Sequence, residues 1–208
     1  MHLLLTDRLT CPRCGPELGL ILLADRVEDR VVYEGVLGCS NCRDSFPVVA
    51  GFADLRAPPR GPLGAGLAGG PDEPVEGPER LLALLGVVGG PGTVALVGEP
   101  ARHAPAVAGA LGEIQVAAVD ADLRGWPESP RVSRLAAAPG LPFFGSVLRA
   151  VAVDGRLGPD ALTEAVRVAA PRARIVVVHA PDGTAERLRG FGAMVLASEA
   201  GTVVATKG

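Results

Sequence analysis

Residues 93–120, Thr-Val-Ala-Leu-Val-Gly-Glu-Pro-Ala-Arg-His-Ala-Pro-Ala-Val-Ala-Gly-Ala-Leu-Gly-Glu-Ile-Gln-Val-Ala-Ala-Val-Asp, decide how this chain folds. The pattern predicts an apolar strand over 93–97, a turn at Gly98, a helix over 101–111 and a second strand over 114–119 that ends in Asp120. That order is the first half of a nucleotide-binding βαβ unit. It sets a carboxylate about 20 residues after the turn, in position to accept hydrogen bonds from ribose hydroxyls. Such a turn usually needs several glycines, and this one reads Gly98, Glu99, Pro100, Ala101, Arg102.

The 208 residues are enough for one core plus a small satellite, and 48% apolar with 21% charged residues places the chain among globular proteins. The net charge of −3 is spread evenly, with six basic and eight acidic residues in 1–56 and fourteen and fifteen in the rest. Neither part carries a field suited to a phosphate backbone, so direct nucleic-acid binding is not expected. Nineteen of the 20 basic residues are Arg, which fits either a GC-rich genome or selection for heat resistance. The apolar start at Met1 is interrupted by Asp7 and Arg8, too early for a signal peptide, so a cytoplasmic location is expected. Residues 81–98 lack charge, but Gly89, Gly90, Pro91 and Gly92 break them in the middle; helix, turn and buried strand explain them better than a membrane span.

Cys11 and Cys14 form one C-x2-C pair and Cys39 and Cys42 another, with strand-like stretches at 18–23 and 30–37 between them. Two such knuckles at hairpin tips can place four thiolates tetrahedrally around one ion, the pattern of a zinc ribbon. Two disulfides or four free thiols are the competing readings, the first disfavoured by a reducing compartment and the second by paired spacing that uses all four cysteines. Four sulfur ligands leave no open position for water, so the zinc is expected to be structural. A module of this size has little core, and the metal's roughly 10–16 kcal/mol would decide whether it folds.

Leu4, Leu5 and Leu9 before Cys11-Pro12-x-Cys14, and Phe46-Pro47-Val48-x-x-Gly51-Phe52-x-x-Leu55 after the second knuckle, resemble the small zinc-ribbon activators of tRNA, rRNA and protein methyltransferases. The likeness covers about 2–56, with Phe46 and Val48 as mild departures and Ala53 in place of a proline. It implies a protein-binding module that pairs a strand and apolar surface with a methyltransferase domain.

Six Gly and six Pro among the 23 residues 57–79 prevent regular structure and read as a linker. The expected division is a ribbon over 1–56, a flexible linker over 57–78 and an α/β domain over 79–208. Pro78-Glu79 starts a helix with Leu81, Leu82, Leu84, Leu85 and Val88 on its buried face. Pro105 is tolerable early in the 101–111 helix, where N–H groups have no internal partner. Residues 124–142 read as irregular, with Trp126 either packing as a lid or closing the core, the commoner role of a large aromatic. A strand is expected over 148–153, then a helix after Gly158 that buries Leu162, Ala165, Val166 and Ala169. A strand over 174–179, a short helix over 184–190 and a hairpin of 193–198 with 202–206 complete the chain. The sum is a Rossmann-like, mainly parallel, doubly wound sheet ending in an antiparallel hairpin, preceded by a zinc ribbon.

Leu141-Pro142-Phe143, Ser146 and the strand after it, then Ala161-Leu162-x-Glu164-x-x-Arg167-Val168-x-x-Pro171, resemble class I S-adenosylmethionine-dependent methyltransferases over about 78–208. The resemblance implies Gly98 and Asp120 as cofactor-binding residues. Other expected positions depart from the family's pattern. Leu96 stands for the acid before the first glycine, Pro100 and Arg102 for the later glycines, Ala137 for the acid that receives the adenine amino group, and Leu148 or Arg149 for the acid of the fourth strand. Each unpaired buried group would cost the cofactor about 1–3 kcal/mol. Glu99 would repel its methionyl carboxylate. As a turn former at a strand end, Asp120 has an equally good structural explanation.

His103 and His179 are the histidines of this part, and His179 falls at the strand edge where sites occur, although a structural role is commoner. No catalytic residue is assigned. The expected function is a degenerate, non-catalytic scaffold or regulator of a protein partner, a methyltransferase or a second copy. The competing readings are an active methyltransferase with its ribbon acting in cis and a homo-oligomer built on the large domain.

Overall fold

The computed structural model describes residues 1–70 and 74–208. A 3-10 turn (Leu3–Arg8) leads into β1 (Ile21–Glu28), β2 (Val31–Gly38), β3 (Ser45–Val49) and β4 (Phe52–Arg56). Two-residue loops join β1 to β2 and β3 to β4: Asp29 and Arg30 take φ of 46° and 66°, Ala50 and Gly51 of 47° and 72°. Paired positive φ values match the right-handed twist of the strands they connect.

The remainder contributes α1 (Pro78–Leu85), β5 (Gly92–Val97), α2 (Ala104–Ala110), β6 (Ile114–Val119), β7 (Val132–Ala138), β8 (Leu148–Asp154), α3 (Pro159–Val168), β9 (Ala169–Val178), α4 (Thr184–Gly190), β10 (Ala193–Glu199) and β11 (Thr202–Lys207). Strands β7, β6, β5, β8 and β9 run parallel in that order, followed by antiparallel β11 and β10. The order reverses between β5 and β8, so the carboxyl ends of these strands open on a switch-point crevice.

Ribbon and α/β part share one sheet. β4 lies parallel to β7, with Phe52 opposite Arg134 and Leu55 opposite Ala137, giving eleven strands in all. One apolar cluster runs through both parts and includes Leu5, Leu9, Phe46 and Leu55 from the ribbon with Phe143, Val151 and Leu162. Leu9, Phe46, Leu55 and Phe143 are fully buried, each contributing on the order of 2 kcal/mol. The last strand of the activator-like stretch, β4, thus pairs with the chain's own β7. Both outer strands carry bulges, near Arg26 in β1 and Leu196 in β10, which discourage edge-to-edge association.

Several sequence expectations need correction. The 124–142 stretch is not irregular throughout, because Val132–Ala138 forms β7. Val88 is 99% exposed, since α1 ends at Leu85 and Gly86 turns the chain in a left-handed conformation. The 101–111 helix is a 3-10 turn over Glu99–His103 followed by a shorter α-helix. Ala169 opens β9 rather than closing α3.

Candidate functional site

The first candidate is the cysteine cluster. Knuckle turns bring Cys11 Sγ within 3.7 Å of Cys42 Sγ and Cys14 Sγ within 3.7 Å of Cys39 Sγ, and all four sulfurs lie within 4.8 Å of one another. Those separations are too long for disulfide bonds. They are close to the edge of about 3.8 Å that four sulfurs acquire around an ion with 2.3 Å bonds. Asn41 Nδ2 donates to Cys14 Sγ at 3.3 Å and the Cys14 N–H to Cys11 Sγ at 3.4 Å, both of which favour thiolates. The four residues singled out by spacing thus come together as a group able to hold a metal ion.

The second candidate is the crevice at the carboxyl ends of β5, β6 and β8. Gly98 follows β5 with φ 73°, and a side chain there would come within 2.8 Å of Asp154 Cβ. Only glycine fits. The following turn buries Glu99, Pro100 and Ala101. Burial pushes the Glu99 carboxyl above its ordinary value, with Arg102 opposing and Asp154 adding to the shift. Among the described residues Glu99 Oε1 has no hydrogen-bond partner.

Asp120 ends β6 and is 8% exposed. Its carboxylate is engaged by the chain itself: Oδ1 accepts from the Leu67 N–H at 3.1 Å and the Ala121 N–H at 2.8 Å, and Oδ2 from the Ala68 N–H at 2.7 Å. The Arg102 guanidinium holds the same segment from the other side, donating to the carbonyls of Ala68 at 3.0 Å and Gly70 at 2.8 Å. Gly66 lies so close that an added Cβ would sit 2.3 Å from Asp120 Oδ2, and Leu67 Cδ1 would touch a Cβ on Gly98 at 3.4 Å. Residues 66–70, read from sequence as part of a flexible linker, are therefore a strap across the crevice.

Beside the strap lies a cavity of about 520 Å³, walled by Leu67, Val97, Val119, Ala137, Leu141 and Ala161 among others. Ala137, at the end of β7, offers no acceptor where the resemblance puts a carboxylate. Leu148 is buried in the sheet and Arg149 donates to the carbonyls of Gly89 and Pro91, so neither supplies a site acid. Sequence reading overlooked Asp154, which ends β8 fully buried and receives three hydrogen bonds from the Arg156 guanidinium, at 3.0, 3.2 and 2.7 Å. The signal was available, since an acid directly after an apolar run is what singled out Asp120. His179 follows β9 with φ 46°, and its Nε2, like that of His103, is buried with no partner among the described residues.

Neither a protein-family model nor a curated protein sequence matches this chain. Solved structures do. One is a complex between the Haloferax volcanii Trm112 methyltransferase activator and the putative methyltransferase, 16% identical, covering 62% of this chain and 86% of the matched one with a TM-score of 0.50. Geranyl diphosphate methyltransferase is 13% identical in two complexes. With GPP and sinefungin it has a TM-score of 0.52 over 63% of this chain and 76% of its own. With SAM it has 0.51 over 63% and 84%. The fold is that of the methyltransferases. At such identities the likeness extends to the arrangement of strands and helices and no further, and the N-terminal cysteine cluster is consistent with a zinc ribbon.

Proposed function

We propose that the protein is a non-catalytic member of the methyltransferase fold, with zinc in the four-cysteine ribbon and a scaffolding or regulatory role toward a protein partner. The partner is a methyltransferase or a second copy of the chain. One observation carries the reading: the acid that would receive a ribose already accepts three N–H groups from its own chain. Pro100 and Arg102 in place of glycines, whose bare backbone a cofactor would approach, support it further. Zinc with four sulfur ligands has no open position, so its role is to hold the ribbon and hence β4 in place. Because β4 is hydrogen-bonded to both β3 and β7, a partner docks elsewhere. The even charge distribution speaks against nucleic acid as that partner. Among the described residues no helix is long and apolar enough to cross a membrane, which fits the cytoplasmic setting we propose.

Calorimetric titration with S-adenosylmethionine and S-adenosylhomocysteine tests the proposal. No binding at micromolar ligand is expected, and a micromolar Kd overturns it. The second reading, an active methyltransferase stabilised in cis by its ribbon, draws on the cavity that persists beside Asp120. It requires methyl transfer that is lost in Asp120→Ala.

A further inference from the structure

The two ends of the shared sheet are covered unequally. In the α/β part, one face carries an apolar cluster to which α1 and α2 contribute Leu81, Leu85 and Val107, and Phe52 of β4 belongs to that cluster. Beyond Phe52 the same face runs bare across the ribbon. Leu23, Val36 and Pro47 are direct cross-strand partners in β1, β2 and β3, and Val49 pairs with Phe52. Alternation puts Ile21 and Val49 on their side and turns Leu22, Leu37 and Phe46 toward the opposite core. Ile21, Leu23 and Val49 are 59%, 66% and 58% exposed. The remaining positions on this side, Gly38 and Ser45, carry no charge. A contiguous apolar face on three strands marks an interaction surface. Because β1 is bulged, the face rather than the edge is left to make the contact.

We infer that this ribbon face packs on the same face of a second copy of the chain, about a two-fold axis lying across the strands. The inference rests on the proposed role toward a protein partner and commits it to one surface and one occupant. Charge selects the second copy and fixes the axis. The β1–β2 hairpin end of the face carries Asp25, Glu28, Asp29 and Glu34 against Arg26 and Arg30, a net charge of −2. The knuckle end carries Arg13, Arg43 and Arg60 against Glu17 and Asp44, a net charge of +1, with Arg60 donating to the Ser45 carbonyl and Arg13 paired with Asp44. A two-fold across the strands reverses their direction, so each acidic end lies over the basic end of the other copy. An axis along the strands would oppose like ends. Three strands about 4.8 Å apart and up to 8 residues long cover roughly 14 by 26 Å. With its charged ends such a face reaches the low end of specific interfaces, about 600 Å² per copy, which fits a dimer that dissociates on dilution.

Sedimentation velocity on the full chain, from about 1 to 200 µM, should show a monomer–dimer equilibrium with a micromolar Kd. Leu23→Asp changes an exposed position, so it should keep the melting temperature while weakening association about tenfold or more. Glu28→Arg and Arg43→Glu should each weaken it about threefold, the more so at low salt, and the two together should restore it. The restoring pair keeps the test decisive even if Leu23→Asp disturbs the ribbon. A chain that stays monomeric at the highest concentration, a dimer indifferent to Leu23→Asp, or a double reversal no better than the single ones each overturns the inference. Protection of β1, β2 and β3 from hydrogen exchange only when a different protein is added also overturns it, and assigns the face to that protein. A monomer leaves the S-adenosylmethionine titration as it stands, and micromolar cofactor binding leaves the dimer as it stands, so this inference and the proposed function fail separately.

Discussion

The Arg134 guanidinium donates to the Ala50 carbonyl in the β3–β4 turn at 2.5 Å, fastening the ribbon to β7 from the far side of the shared ladder. The same side chain, 8% exposed, also donates to the carbonyls of Trp126 and, at 3.3 Å, Arg124. It therefore gathers the ribbon turn and the segment before β7 around one charge.

Arg134→Met keeps the apolar stem and removes every donor. Losing these partly buried hydrogen bonds together should cost about 1–2 kcal/mol in urea denaturation. Arg134→Lys should recover only part of that loss, because an ammonium cannot reproduce the planar fork. Full recovery by Lys would show that charge alone matters here.

Elemental analysis should find one zinc per chain, lost in Cys39→Ser. Because the ribbon and α/β parts share a core, chelation should lower the melting point of the whole protein in a single transition, by about 10 °C or more. Two separate transitions would mean that the sheet does not couple them.

Glu99→Gln should stabilise the protein at neutral pH. Burial holds the Glu99 carboxyl above its ordinary 4.5, so the folded state binds a proton that the unfolded state has released. Stability is thereby present in full below 4.5 and declines as pH rises through the folded value. Gln removes that decline. A gain of a few degrees in Tm at pH 7.5 that disappears near pH 4 is the expected pattern; a loss at both would identify Glu99 as a net stabilising partner of Arg102.

Glu164 should titrate in the opposite sense. Burial alone would raise its carboxyl, but hydrogen bonds from the Arg167 guanidinium and the Leu141 N–H together hold it below 4.5. Its contribution is present above 4.5 and is lost as pH falls through the lowered folded value. Urea midpoints measured downward from pH 6 should therefore fall less steeply in Glu164→Gln than in the unmodified protein. Parallel curves would remove Glu164 from the acid response.

The order of elements was legible because alternation and apolar runs report directly on burial. The 93–97 and 114–119 strands, the Gly98 bend, the terminal hairpin and the meeting of four cysteines all follow from such signals. β7 was missed because Val132-Ser-Arg-Leu-Ala-Ala-Ala is poor in β-branched residues and embedded among prolines, and its strand character comes from neighbours on both sides. Val88 was misassigned because helical periodicity continued past the glycine that ends the helix. The strap was illegible for a deeper reason. Its contacts to Asp120 are made by main-chain N–H groups, which every residue other than proline possesses, so composition marks the segment as loose while position makes it specific.

The parallel ladder between Leu55 and Ala137 has a consequence for how this molecule behaves on dilution. Two polypeptides meeting along such a seam part when their concentration drops below the dissociation constant. Here a covalent connection keeps the halves at a fixed effective concentration. Their stoichiometry is invariant, and neither half can leave the other without local unfolding.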